Sequence, residues 1–202
     1  TRAQEAAGRA EVPSLGDLVE AIDGTFARLA AANDIPDRIT VAGNGEPTLH
    51  PDFFAWSEQL AAARLKHFGP NTKIGLLTNG LHLNKPDVIN AVNQFYDEPA
   101  IKLECGTAKC FAALYQVSER GLQRTLDGLH QLDSFVVQAL FIQGAAADNT
   151  SPAEITAWLE HLKTFRSAIR HVEIYTLDRP AADESDAIRV SVAHLEEIAA
   201  QV

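Results

Sequence analysis

Ile39-Thr-Val-Ala-Gly-Asn-Gly-Glu-Pro-Thr-Leu-His-Pro-Asp-Phe53 is the stretch on which the reading of the chain turns. A short β-branched run, predicted as a strand over residues 39–42, stops at Gly43, Asn44 and Gly45. A carboxylate, Glu46, and a proline, Pro47, follow at once. Glycines at such a point let the backbone itself approach a partner that a Cβ would hold away. The next segment, residues 51–66, is predicted as a helix that returns over the sheet. The glycine loop then falls at the carboxyl end of a parallel strand, the edge where α/β proteins place their sites.

The same alternation runs outward in both directions. Ser14 is a candidate N-cap for a helix whose apolar positions Leu15, Leu18, Val19, Ile22, Phe26 and Leu29 keep helical spacing. Lys73-Ile-Gly-Leu-Leu-Thr78 is nearly continuous in apolar character, as a strand buried on both faces should be. Further strands are predicted over 100–105, 135–142 and 171–177. Helices are predicted over 86–96, over 107–132 with a split near Ser118 or Gly121, over 151–169 and over 192–201. Ser151-Pro-Ala-Glu154 opens its helix in the manner of a capping box. Strands and helices in turn, with crossover-length connections, predict one α/β domain with a parallel sheet over residues 14–202, preceded by a linker over 1–13.

Bulk properties exclude several classes. A chain of 202 residues buries a substantial core, and 46% apolar with 22% charged residues is ordinary for a globular protein. A net charge of −10 argues against broad adhesion to nucleic acid or anionic membrane. No apolar run approaches the roughly 20 residues of a membrane span. Two cysteines, Cys105 and Cys110, give no disulfide framework, so a reducing cytoplasm is expected. The sequence contains no methionine, even at position 1, and is read as part of a longer reading frame.

Polar residues gather where the strands end: Glu46, then Thr78 and Asn79, then Glu104, then Gln138 and Gln143, then Tyr175 and Thr176. Asn79-Gly80 and Asp148-Asn149 are equally well read as ordinary turn formers. The 43–47 loop is not a P-loop, because no Gly-Lys-Ser/Thr follows, and it lacks the third glycine of a dinucleotide fingerprint. The seven histidines show no HxH or HExxH pairing. Trp56 and Trp158 fall on apolar helix faces and read as core.

In order along the chain, these strand ends resemble those of radical S-adenosylmethionine (radical SAM) enzymes. Thr40-Val-Ala-Gly-Asn-Gly-Glu-Pro47 resembles the Gly-Gly-Glu motif on their second strand, and Leu77-Thr-Asn-Gly80 resembles their third strand. Lys102-Leu-Glu-Cys-Gly-Thr107, Val137-Gln-Ala-Leu-Phe-Ile-Gln-Gly144 and Val172-Glu-Ile-Tyr-Thr-Leu-Asp-Arg-Pro180 resemble the fourth, fifth and sixth. The resemblance implies a partial parallel (β/α)6 barrel, here without its first strand, holding S-adenosylmethionine and a [4Fe–4S] cluster. It implies reductive cleavage of the sulfonium, hydrogen abstraction from a substrate, and an electron donor such as flavodoxin or ferredoxin. Gly43, Asn44, Gly45, Glu46 and Pro47 would meet the methionine amino group, with Thr78 and Asn79 on the adjoining strand end. Lys102 and Glu104 would face the ribose and methionine carboxylate. Gln138 and Gln143 would lie on the inner rim, and Tyr175, Thr176 and Leu177 would offer backbone to adenine.

One departure bears on activity. The family holds its cluster with Cys-x-x-x-Cys-x-x-Cys after the first strand, and that segment is expected upstream of Thr1. Cys105-x4-Cys110 supplies two thiols where three or four are normally used, so the chain alone is expected to be inactive. Competing readings are another barrel enzyme, such as an aldolase, and a non-catalytic binding or scaffold module. The first would need eight strands and a phosphate-cradling loop.

Overall fold

Five strands, β1 (Arg38–Val41), β2 (Lys73–Thr78), β3 (Glu98–Lys102), β4 (Phe135–Leu140) and β6 (Ile169–Tyr175), form one parallel sheet in the order β1-β2-β3-β4-β6. The computed structural model describes residues 12–43, 45–144, 147–178 and 186–202. The sheet is open: among the described residues β1 and β6 are its two edges. The predicted linker lies, up to residue 11, outside the described residues.

Each strand hands over to a helix, and the strands pair in chain order. Right-handed crossovers between such neighbours place their helices on one face of the sheet. The helices are α1 (Leu15–Ala31), α2 (Phe53–His67), α3 (Pro86–Phe95), α4 (Ala108–Tyr115), α5 (Arg120–Leu129), α6 (Pro152–Thr164) and α7 (Val192–Ala199). Alternation then divides the strand residues. Ile74, Leu76, Ile101, Leu103, Phe135, Val137 and Ala139 join the core with Trp56, Leu60, Val92, Leu129 and Trp158 from the helices. The other face carries Arg38, Thr40, Glu98, Gln138, His171 and Glu173 around a shallow cleft. Arg38 reaches across Gly75 to pair with Glu98. No helix among the described residues is long and apolar enough to cross a membrane.

Local signals explain the helix ends. Ser14 caps α1 by accepting from the Asp17 amide at 3.2 Å, as its position predicts. The helix predicted over 107–132 is split: Gln116 closes α4 in the left-handed conformation at φ 54°, and α5 starts at Arg120. The helix predicted from residue 51 begins at Phe53, because Pro47–Leu49 forms a 3₁₀ turn first.

Three strand assignments differ from expectation, and β6 runs over Ile169–Tyr175 rather than residues 171–177. β3 covers Glu98–Lys102, not residues 100–105. Pro99 reads as a breaker, yet it sits second in the strand, ahead of the first pairing with β4 at Ala100↔Val136. The strand predicted over 135–142 ends at Leu140, and Ile142–Gln143 forms a separate β5 that pairs antiparallel with β7 (Ile188–Arg189). Residues 188–189 carry no strand signal of their own, since a two-residue strand is too short to show a period.

Candidate functional site

The glycine loop is fixed at the carboxyl end of β1 by Glu46. Its Oε1 accepts from the Thr48 amide at 3.1 Å, the Thr48 hydroxyl at 2.6 Å and the Thr78 hydroxyl at 2.5 Å. Its Oε2 accepts from the Asn79 amide at 2.8 Å. Three donors crowd Oε1 and one meets Oε2, so the carboxylate is held through both oxygens while Oε2 keeps room for a second donor. Glu46 therefore bolts the loop after β1 to the end of β2, and what the loop presents outward is backbone. Asn79 is likewise engaged, its Oδ1 accepting from the Leu81 amide at 3.0 Å. His82 Nδ1 lies 3.4 Å from the Thr48 hydroxyl; that hydroxyl already donates to Glu46, so Nδ1 is the donor here. Burial, ahead of the charge on Lys85, holds His82 below its ordinary pKa.

The glycines of the loop have no internal explanation. Among the described residues, the left-handed glycines are Gly69 and Gly80. Among the described residues, a Cβ on Gly45 would meet no atom within 4 Å, and one on Gly43 would meet only the Gly45 backbone, at 3.5 Å. Both residues are exposed, as is the apolar groove of about 660 Å³ beside them between α1 and β1. Asn44, also expected at this site, lies outside the described residues.

The end of β3 supplies the second group. Lys102 is half-buried, whereas Glu104 is 4% exposed and its Oε1 has no hydrogen-bond partner. The Tyr115 hydroxyl is buried beside it and faces the Glu104 carboxyl. Burial pushes the Glu104 carboxyl up to about 7, against the opposing pull of Lys102. Burial first, then the Glu104 charge, raises Tyr175 to about 12. The site thus holds a carboxyl group able to stay protonated near neutrality, with one unpaired oxygen.

That carboxyl predicts a pH dependence. Folded Glu104 keeps its proton to about pH 7, while the unfolded group releases it near its ordinary 4.5. Between those values the folded state binds more protons, so stability falls as pH rises through the window. By pH 8 the loss is about 3 kcal/mol. Urea unfolding at pH 5 and pH 8 should show this decline in the wild type and its removal in Glu104→Gln. An equal decline in both proteins would place the titration on another group.

The remaining expected residues divide. Gln138 lies on the polar face and donates from Nε2 to Glu173 at 2.7 Å. That bond, ahead of contact with His171, holds Glu173 below its ordinary pKa. Gln143 does not lie on the inner rim of the sheet. It is exposed on β5 and donates to the Thr150 hydroxyl at 3.1 Å, because the chain leaves the sheet after Leu140. Tyr175 ends β6, and its carbonyl accepts from the Phe141 amide at 2.8 Å. Thr176 is structural: its hydroxyl donates to the Phe141 carbonyl at 2.8 Å and accepts from the Val190 amide at 2.9 Å. The Leu177 carbonyl accepts from Arg189 at 2.5 Å.

Several residues that position this rim escape sequence reasoning. Asn149, 1% exposed, donates to the Glu104 and Leu140 carbonyls at 2.7 Å each and accepts from the Ile142 amide at 2.8 Å. It ties the ends of β3 and β4 together, whereas its sequence context suggested only a turn. From α6, Glu154 accepts from the Gly106 amide at 2.9 Å, the Thr107 amide at 3.0 Å and the Thr107 hydroxyl. Trp158 Nε1 donates to the Leu103 carbonyl at 2.8 Å, and His161 Nε2 bonds the Gly106 carbonyl at 2.8 Å. The capping box is therefore half formed. Ser151 accepts from the Glu154 amide, while the Glu154 carboxylate serves the loop after β3.

No family model matches the chain. Two curated relatives, each called UPF0026 protein and from two strains of Helicobacter pylori, are 25% and 24% identical over 177 residues. These matches take in 85% of this chain and 53% of each relative, so the chain spans about half the length of the curated relatives it matches. Among solved structures, the chain is similar to TYW1 with a lysine-pyruvate adduct bound. The TM-score is 0.61 at 16% identity, covering 92% of this chain and 58% of that one. It is also similar to a domain of pyruvate-formate lyase-activating enzyme from Bacteroides vulgatus. Here the TM-score is 0.56 at 19% identity, covering 81% and 91%. The fold is shared with both.

Proposed function

We propose that the chain is the S-adenosylmethionine-holding core of a radical SAM enzyme, its open sheet being part of a (β/α)6 barrel. The observation that carries this reading is the bare backbone at Gly43 and Gly45, which neither conformation nor crowding among the described residues demands. The ordered strand-end motifs support it. So does the fold shared with TYW1 and the pyruvate-formate lyase-activating enzyme domain, both radical SAM enzymes.

The residues present fit the cofactor in three respects. The 43–47 loop offers carbonyls to an ammonium group, and Glu46 sets their position from behind. Glu104 brings an unpaired buried oxygen toward the strand ends. Lys102, on the same strand end, brings a cation suited to a carboxylate. When bound, S-adenosylmethionine would supply a sulfonium whose one-electron reduction starts radical chemistry. The cluster does not fit the described residues. Among them no three His, Cys, Asp or Glu side chains could hold a metal, and both cysteines are buried. The proposal places its ligands outside the described residues and takes a reduced flavodoxin- or ferredoxin-like protein as the electron source.

The test is calorimetric. S-adenosylmethionine is titrated into the intact protein without oxygen, beside Gly45→Val. A valine at Gly45 fills the space the ligand needs, and its Cβ meets no atom of the described residues within 4 Å. Binding should weaken at least about tenfold, equivalent to 1.4 kcal/mol, with the urea midpoint unchanged. Failure of the wild type to bind, or equal binding by Gly45→Val, would sink the reading.

A further inference from the structure

Cys105 and Cys110 are buried and 3.2 Å apart, sulfur to sulfur. Cys105 follows the end of β3 and is fully buried; Cys110 sits in the first turn of α4 and is 8% exposed. Buried thiols commonly serve only as small apolar side chains. Nothing in packing alone, however, calls for two thiols in direct contact across a six-residue loop. We propose that this pair is an oxidation site at which hydrogen peroxide converts the two thiols into an intramolecular disulfide.

The geometry sets the order of events. Cys110 is the sulfur an oxidant reaches first, since Cys105 has no exposed surface. The Cys110 sulfur attacks the peroxide O–O bond, takes one oxygen as sulfenic acid, and one water leaves. The Cys105 sulfur then displaces that oxygen, which departs as a second water. Two thiols lose two electrons and two protons, and the peroxide is reduced to two waters. Contact with Cys110, and then burial, push Cys105 well above the ordinary thiol range, which keeps it protonated and leaves the first step to Cys110.

A disulfide needs sulfurs about 2.05 Å apart, so the pair must close by about 1.2 Å. Gly106 and Thr107 between them are gripped by Glu154 and His161. The movement therefore falls on the first turn of α4, where Cys110 sits on an N–H bonded to the Thr107 hydroxyl at 3.2 Å.

Lys109 lies between the two cysteines and makes the product easy to read. The full chain is exposed to hydrogen peroxide under native conditions, alkylated, and digested with trypsin without reductant. Peptides 103–109 and 110–120 should travel as one species from a monomeric chain and separate after reduction. In Cys105→Ser, the sulfenic acid on Cys110 should persist and be trapped by dimedone. In Cys110→Ser, labelling of Cys105 should be at least about tenfold slower, as access dictates. Three results would overturn the proposal: separate peptides with Cys110 carried on to sulfinic acid, linkage only between chains, or equally fast labelling of Cys105 in Cys110→Ser.

Discussion

Replacing Gly106 by alanine should destabilise the protein by about 3 kcal/mol and lower its melting temperature by about 6–12 °C. A Cβ at that position would lie 2.2 Å from the Glu154 carbonyl oxygen, 2.6 Å from the Trp158 amide nitrogen and 2.7 Å from the Ala157 Cβ. Two of these are backbone atoms in the middle of α6, which no rotamer change can move. The same helix reaches over Gly106 with Glu154, Trp158 and His161, so a retreat of α6 would stretch the bonds to Leu103, Gly106 and Thr107 together. Relief is correspondingly limited. Ala157→Gly in the same chain removes one clash and leaves the other two, so it should recover less than half of the loss. Differential scanning calorimetry decides the matter, with Gly45→Ala as the control glycine that touches nothing. A Gly106→Ala protein melting within about 2 °C of wild type would mean that α6 does not dock flush on this loop.

The contrast between Gly106 and Gly45 shows what the sequence made legible. Both stand in strand-end loops and both suggest close backbone approach. Only three-dimensional packing shows that one is filled by α6 and the other by nothing. Periodicity was enough for the parallel sheet, because β2 and β4 are continuous apolar runs and α1 has a regular apolar stripe closed by the Ser14 cap. Pairing between distant segments was not legible: Ile142↔Arg189 joins two residues far apart in the chain, each with ordinary neighbours. Side-chain reach was hidden for the same reason. Glu154 looks like a capping-box acid until its carboxylate is seen on Gly106 and Thr107, and Asn149 looks like a turn until its amide is seen bridging β3 and β4. Glu46 stood out in the sequence as an unusual residue, but its part as an anchor needed the partners from β2.

Glu46→Ala should cost about 3 kcal/mol of stability, and Glu46→Gln roughly half of that, measured by urea unfolding. The carboxylate satisfies two amides and two hydroxyls, and the hydroxyls belong to Thr48 and Thr78, which are 2% and 3% exposed. Alanine leaves those donors with no acceptor in a place water reaches poorly. Glutamine keeps one oxygen for the threonines but turns its NH2 toward the Asn79 N–H, a donor facing a donor. Thr78→Val separates this account from a general loosening of the loop. It removes the hydroxyl that donates to Glu46 and accepts from the Gly80 amide while keeping the side-chain shape, and should cost about 2 kcal/mol in the wild-type background. In the Glu46→Ala background the same change should cost about 1 kcal/mol less, because only the bond from the Gly80 amide is left to lose. The coupling of about 1 kcal/mol is the signature of the direct bond, and additive losses would show that the two residues stabilise the rim independently. If the bond is what holds the glycine backbone in place, Glu46→Ala should also weaken S-adenosylmethionine binding. The stability loss rests on bonds within the protein and the binding loss on the proposed site, so the first without the second would keep the anchor and remove the ligand.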